Sequence, residues 1–217
     1  MISNMWGTIK GRYVKYGKDR QFVFSAILAI VVLLLSTLVN YAAGTYATEM
    51  VSNSVTDVVL SNTRVFDVDL FFVYGSGLLG VFIAFLLLIE PKRIPFTLHA
   101  LTLFILIRSI FISLTHIAPY PSQATLDLGR VANKFIFGGD LFFSGHTGIP
   151  FLMALIFWQN RTLRYIFIAW SVAFGITVLL GHLHYTIDVL SAFFITYTIF
   201  HLAEIFFKKE RAVFYRD

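Results

Sequence analysis

The sequence predicts an all-α integral membrane protein, a bundle of six transmembrane helices, and three observations carry that expectation. The chain of 217 residues is 58% hydrophobic and only 13% charged, against roughly 25% charged residues in a soluble globular domain. Its apolar residues fall into six runs of the length, about 17–25 residues, that crosses a bilayer as a helix. Its basic residues cluster in alternate connections between those runs. There is no cysteine, which excludes a disulfide framework, a thiolate metal site and a cysteine nucleophile. No repeat, low-complexity tract or long linker divides the chain. A single membrane domain over residues 1–217 is expected, with a basic N-terminus at 1–21, the bundle at 22–207 and a tail at 208–217.

The six expected spans are Phe22–Ala43, Leu70–Ile89, Phe96–Thr115, Phe142–Trp158, Leu163–Leu180 and Tyr185–Phe207. The first is too long for a signal peptide's apolar core, lacks a small-residue cleavage site, and is followed by further spans. Thirteen basic residues lie before span one, between spans two and three, between four and five, and after six. The opposite connections carry three, Arg64, Arg130 and Lys134, and Arg108 falls inside span three. Basic residues mark the cytoplasmic side, so both termini are expected there, with 44–69, 116–141 and 181–184 facing outward. Asn160–Thr162 fits a glycosylation pattern, but this topology puts it on the cytoplasmic side.

Charged and polar groups inside a membrane are costly, about 3 kcal/mol for a charge at mid-bilayer on insertion scales. Three groups stand out, all near outward helix ends. The first is Gly138-Gly139-Asp140 followed by Ser144-Gly145-His146-Thr147 at the start of span four. Its glycines allow a tight turn and close approach to a ligand. Pro150 suits a first helical turn, and the N–H groups of Gly145 to Gly148 are expected to point at an anion. The bland alternative is a Gly- and Ser-rich turn with one interfacial histidine. The second group is His182-Leu183-His184-Tyr185-Thr186-Ile187-Asp188. His184 and Asp188 are four apart and share a helix face, so the carboxylate can orient the imidazole and raise its basicity. The alternative is a capping histidine with a hydrogen-bonded Asp188; His182 lies off that face and reads as a bystander. The third is Arg108-Ser109, with Ser113, Thr115 and His116 beyond. Arg108 lies about seven residues, roughly 10 Å of helix, from the outer end. It can snorkel outward or hold a phosphate through two hydrogen bonds. His99 and His201 read as packing or interfacial residues on the cytoplasmic side.

The topology uses only loop charges, yet it puts His146, His184, Asp188 and Arg108 at similar depth on one side. Two imidazoles, a carboxylate and a guanidinium suit phosphoryl transfer. One histidine attacks phosphorus and the other protonates the leaving oxygen. The arginine and helix N-terminal amides stabilise the phosphoryl oxygens. No metal or other cofactor is called for, although two histidines and a carboxylate are metal-ligand types.

The runs Gly138–Thr147 and His184–Val189 resemble two signature motifs of the sphingomyelin synthase family, a branch of the type 2 phosphatidic acid phosphatase superfamily. Arg108 to Pro121 (RSIFISLTHIAPYP) is similar to the family's segment from an arginine to a proline-containing turn. Asp67 and Asp69 loosely resemble its first motif. The resemblance covers roughly Asp67 to Ala192. It implies a six-helix, type 2 phosphatidic acid phosphatase-like fold with an exoplasmic site. It also implies His184 as nucleophile, Asp188 as its partner and His146 as general acid. Ser144, Gly145, Thr147 and Arg108 would bind phosphate, and Asp140, Tyr185 and Asp69 are candidates for substrate contact. Phosphatases of the superfamily carry Ser-Arg six to seven residues before the second histidine, where this chain has Thr177 and Val178; that departure favours the synthase branch. The chain lacks the long cytoplasmic extension of some animal synthases, which suggests a compact relative in a bacterial inner membrane.

Three readings compete. One is a headgroup phosphotransferase that moves a phosphorylated headgroup from a phospholipid donor to a ceramide- or diacylglycerol-like acceptor through a phosphohistidine. Another is a lipid phosphate phosphatase. The third, a non-enzymatic transporter or channel, lacks the inverted-repeat symmetry and mid-membrane break such proteins show. The expected partners are lipids, with no nucleic acid.

Overall fold

The computed structural model describes residues 2–124 and 139–215; Gly138, Arg130, Lys134 and Arg216 lie outside them. The described residues form helices joined by irregular connections: α1 (Ile2–Gly17), α2 (Arg20–Glu49), α3 (Asp69–Ile89), α4 (Ile94–Leu114), α5 (Gly145–Ile156), α6 (Arg161–Leu180), α7 (Thr186–Phe206) and α8 (Lys208–Phe214). Five of these, α2, α3, α4 with the turn before it, α6 and α7, are long and apolar enough to cross a membrane, as expected of an integral membrane protein. Their ends agree with the expected spans within two residues, except that α2 runs six residues past Ala43. Side-chain caps fix two of the starts. Asp19 Oδ1 accepts from the N–H groups of Gln21 and Phe22 at the head of α2, and Asn160 Oδ1 from Leu163 N–H at the head of α6. The glycosylation-like asparagine therefore serves as an N-cap.

The fourth expected span differs. Of Phe142–Trp158 only Gly145–Ile156 is helical, twelve residues, or about 18 Å. Residues 139–144 run as irregular backbone inside the bundle. Such backbone is tolerated at membrane depth where protein surrounds it or where it lines a cavity. Pro150 also departs from expectation. It lies in the second turn of α5, so its missing N–H leaves the His146 carbonyl without its usual helical donor.

α5 is the central element. It packs against α4, α6 and α7, while α2 lies along α4 and α3 along α6. Leu152, Met153, Ala154 and Ile156 of α5 are fully buried among Phe96, Ala100, Phe104, Phe167, Phe174, Ala192 and Ile199. The two ends of the bundle differ in chemistry. At one end Arg12 and Arg93 both pair with Glu90, and Arg211 with Glu204. The expected tail at this end is instead a docked helix. Phe214 of α8 is buried against Phe96 and Phe157, and Arg211 lies 4.1 Å over the Tyr215 ring. At the other end the connections bond to one another, Ser52 N–H to the His116 carbonyl and Phe66 N–H to that of Leu180.

α5 approaches α4 and α7 closely at Gly148, where a Cβ would stand 2.7 Å from the Phe104 ring and 2.9 Å from Thr196 Oγ1. Gly148→Val should therefore destabilise the bundle by about 1–3 kcal/mol, the usual cost of overpacking. Thermal unfolding of the purified protein in detergent checks this; an unchanged midpoint would contradict the packing.

Candidate active site

The site is built where the irregular segment before α5 and the turn before α7 meet near a buried arginine. Arg108, on α4 six residues before its end, is 8% exposed. It does not snorkel. Its Nε donates to the Phe143 carbonyl (2.7 Å) and one Nη to the Asp140 carbonyl (3.2 Å), while the other Nη lies 2.6 Å from the Asp140 carboxylate. That last contact is an ion pair by distance but is not aligned as a hydrogen bond. A buried guanidinium needs acceptors, and residues 140–143 supply them. Gly145 permits the approach, since a Cβ there would stand 3.3 Å from Arg108 Nε.

The same segment is tied to the second histidine motif. Ser144 N–H donates to the Asp188 carbonyl (3.1 Å). Ser144 also caps α5. Its hydroxyl oxygen accepts from Thr147 N–H, and its carbonyl from Gly148 N–H. Of the four N–H groups expected to face an anion, Thr147 and Gly148 are thus occupied. Gly145 and His146 remain at the first turn, where helical geometry supplies no acceptor. Thr147 is also held from behind, its carbonyl accepting from Ser171.

His184, 7% exposed, precedes α7 and turns Nδ1 toward Asp188 Oδ2 at 3.4 Å. This distance suits an ion pair, but the geometry falls outside hydrogen-bond alignment. Asp188 is 1% exposed, and its Oδ2 accepts from Tyr185 N–H (2.9 Å). The carboxylate thus sits behind the imidazole, leaving Nε2 as the nitrogen opposite it. His146 packs on Phe72, with ring centroids 4.2 Å apart, and on Phe174.

Arg108, Asp140, Gly145, His146 and His184 line one cavity of about 540 Å3, well within the range of small-molecule sites. Ser144, Thr147 and Asp188 support it from behind. Tyr185 and Asp69 are not among its lining residues. Tyr185 is buried in the loops, its hydroxyl donating to the Ala118 carbonyl and accepting from Val55 N–H. Asp69 opens α3. His182 is turned away, at φ 53°, with its ring against Thr63 and the Ser122 carbonyl. His99 stacks on Phe207 and His201 bonds Glu204.

Sequence reasoning missed two features. Asn40 on α2 lines the cavity and accepts from Ser109; a lone amide in an apolar span was the available signal. Asp57, in the connection after α2, carried none. Its carboxylate accepts from Thr186 N–H (2.7 Å) and Thr186 hydroxyl (2.8 Å), and from the N–H groups of Val59 and Leu60. It therefore caps α7 from a distant loop, directly beside His184.

Residues 138–205 match the family model for the PAP2 superfamily C-terminal domain. The match takes in both histidine motifs and runs nearly to the end of α7. It supports the type 2 phosphatidic acid phosphatase superfamily and, with it, lipid-phosphate chemistry of the phosphatase or phosphotransferase kind. No curated protein and no solved structure matches the chain.

Partial burial raises the Asp57 pKa, but the hydrogen bonds from Thr186, Leu60 and Val59 outweigh it and hold the carboxyl below its ordinary value. A depressed folded-state pKa adds stability above the unfolded value, near 3.9. That stability is lost as pH falls through the lowered folded value. Asp57→Asn should therefore lower the thermal midpoint at pH 7, and the gap from wild type should close on acidification. A gap that persists unchanged well below pH 3.9 would contradict the assignment.

Proposed function

We propose that this protein is a lipid headgroup phosphotransferase working through a phosphohistidine at His184. The observation that carries the reading is the convergence of Arg108, His146 and His184 on one cavity, with Asp188 behind His184. In the proposed reaction His184 Nε2 attacks the phosphorus of a glycerophospholipid. The bond from phosphorus to the diacylglycerol oxygen breaks, and His146 protonates that oxygen. Asp188 stabilises the charge that develops on the imidazole. The hydroxyl of a ceramide- or diacylglycerol-like acceptor then gives its proton to His146 and attacks phosphorus, and the phosphorus–nitrogen bond breaks. The N–H groups of Gly145 and His146, with the remaining N–H groups of Arg108, face the non-bridging oxygens.

Charge favours a phosphodiester over a phosphomonoester substrate. A phosphomonoester carries about −1.5 to −2 at neutral pH, and a phosphodiester −1. Among the described residues lining the cavity, Arg108 is the only lysine or arginine, and Asp140 already offsets it. Thr177 and Val178 add nothing to the cavity. The Thr177 hydroxyl bonds its own helix at Ala173, and Val178 is fully buried with Val68, Leu183 and Val189. With so little positive charge among its described lining residues, the site would hold a monoanion better than a dianion.

The bias of basic residues supports six spans with both termini cytoplasmic and the cavity opening toward the exoplasmic side. The short α5 with residues 139–144 would form the fourth span.

Two measurements test these readings. His184→Ala should abolish transfer, Asp188→Asn should reduce it strongly, and His146→Ala should cost about 10²–10⁴-fold, the range of a lost general acid or base. An activated leaving group, such as p-nitrophenyl, should partly restore His146→Ala and not His184→Ala. Purified enzyme and labelled phospholipid, with and without ceramide or diacylglycerol, separate transfer from hydrolysis, and full activity in folded His184→Ala would refute the mechanism. For orientation, a cysteine replacing Gln123 should react with an impermeant thiol reagent in intact cells, and one replacing Gln159 should not. The reverse pattern would invert the topology.

A further inference from the structure

The cavity does not end at the histidines. It continues along one face of α3, past Phe72, Ser76, Leu79 and Ile83, residues whose spacing stacks them on a single helical stripe. Its lining also includes Thr37 on α2 and Gly80 on α3, and both are exposed. A cavity-lining residue that is itself exposed, on a helix flanked by outward apolar side chains, marks where the cavity opens. These two belong to different helices, so the mouth lies between α2 and α3. A Cβ at Gly80 would meet nothing within 4 Å, so the gap there is open.

Depth and chemistry identify what fits. Thr37 lies twelve residues before the end of α2, and Gly80 eleven after the start of α3. Gly80 is about 17 Å of helix from the histidine end, near the middle of a hydrocarbon layer roughly 30 Å thick, and Thr37, six residues or about 9 Å before Ala43 where the apolar run of α2 ends, also lies within that layer. The lips carry exposed Leu34, Leu38, Leu78 and Val81. The hydroxyls along the way are turned to their own helices, Thr37 to the Leu34 carbonyl and Ser76 to that of Phe72. Apart from the Asn40 amide, whose oxygen accepts from Ser109, the passage offers methyl and methylene surface. An aqueous solute has no route to a mouth at that depth, whereas a hydrocarbon chain already occupies it. A two-chain phospholipid is also larger than the cavity, so its tails need an exit.

We propose that the gap between α2 and α3 is a lateral slot that takes an acyl chain of the lipid substrate while its phosphate lies at Arg108 and the histidines, and that Gly80 keeps the slot open. The proposal rests on the cavity being a lipid-phosphate site, but its main test needs no turnover. Folded His184→Ala protein in phosphatidylcholine vesicles would be irradiated with a phosphatidylcholine carrying a diazirine midway along one acyl chain, and the adducts mapped by mass spectrometry. Adducts are expected on Leu79, Ile83 and Phe104, which are buried and out of reach of bulk lipid. Adding Gly80→Trp should remove them while labelling of exposed Leu34 and Leu78 persists. Adducts confined to outward-facing residues, or unaffected by Gly80→Trp, would overturn the slot. Gly80→Leu gives the same comparison if the tryptophan variant does not fold. In active protein, Gly80→Trp should lower the ratio of kcat/KM on long-chain over short-chain phospholipid by at least about tenfold, the worth of roughly two buried methylenes; an unchanged ratio would also count against the slot. Buried adducts in a protein without phosphotransfer or hydrolysis would leave the slot standing and remove the proposed reaction.

Discussion

The organisation of this protein depends on satisfying one buried guanidinium. Arg108 sits on a helix whose surroundings are apolar, and leaving its N–H groups unpaired there would cost far more than a typical hydrogen bond returns. Ordinary helix offers few free acceptors, because its carbonyls are already engaged. The carbonyls of Asp140 and Phe143 are free because residues 139–144 are not helical. Satisfying the arginine and keeping this segment irregular are therefore one condition. It shortens α5 and sets its first turn, with His146, against the cavity.

A second set of bonds carries that order across to the other histidine. Ser144 N–H holds the Asp188 carbonyl while the Asp188 carboxylate holds Tyr185 N–H and stands behind His184. Asp57 grips Thr186, and the Tyr185 hydroxyl reaches Ala118 and Val55. The start of α7 is thus fastened on several sides by loops outside the bundle. Such over-determination suits the nucleophilic role proposed for His184, which needs an orientation held to within a fraction of an ångström. Among the described lining residues Asp140 offsets Arg108, so the pair that organises the backbone is also the one on which the proposed preference for a monoanion rests.

The sequence by itself determined the helices and the chemistry of the site's main side chains. Apolar run length reports the bilayer directly, so five helices fall where the runs do. Costly polar residues in those runs marked Arg108 and Asp188, and the four-residue spacing from Asp188 marked His184, without any knowledge of packing. The sequence did not determine where α5 begins, because Phe142 and Phe143 are as apolar as the helix they precede. Their backbone is diverted by Arg108, 32 to 35 residues away in the chain. Nor did it separate a snorkelling arginine from a buried one, since both fit the same position on an isolated helix. Tyr185 and Asp57 exchanged importance for a similar reason. Tyr185 adjoins the histidine in sequence but points into the loops, while Asp57, some 129 residues from Thr186, reaches it through a loop whose path no local pattern encodes. Local periodicity and composition fix what each segment is. Which carbonyl meets which donor across the bundle is a property of the packed chain, and only the tertiary structure decided it.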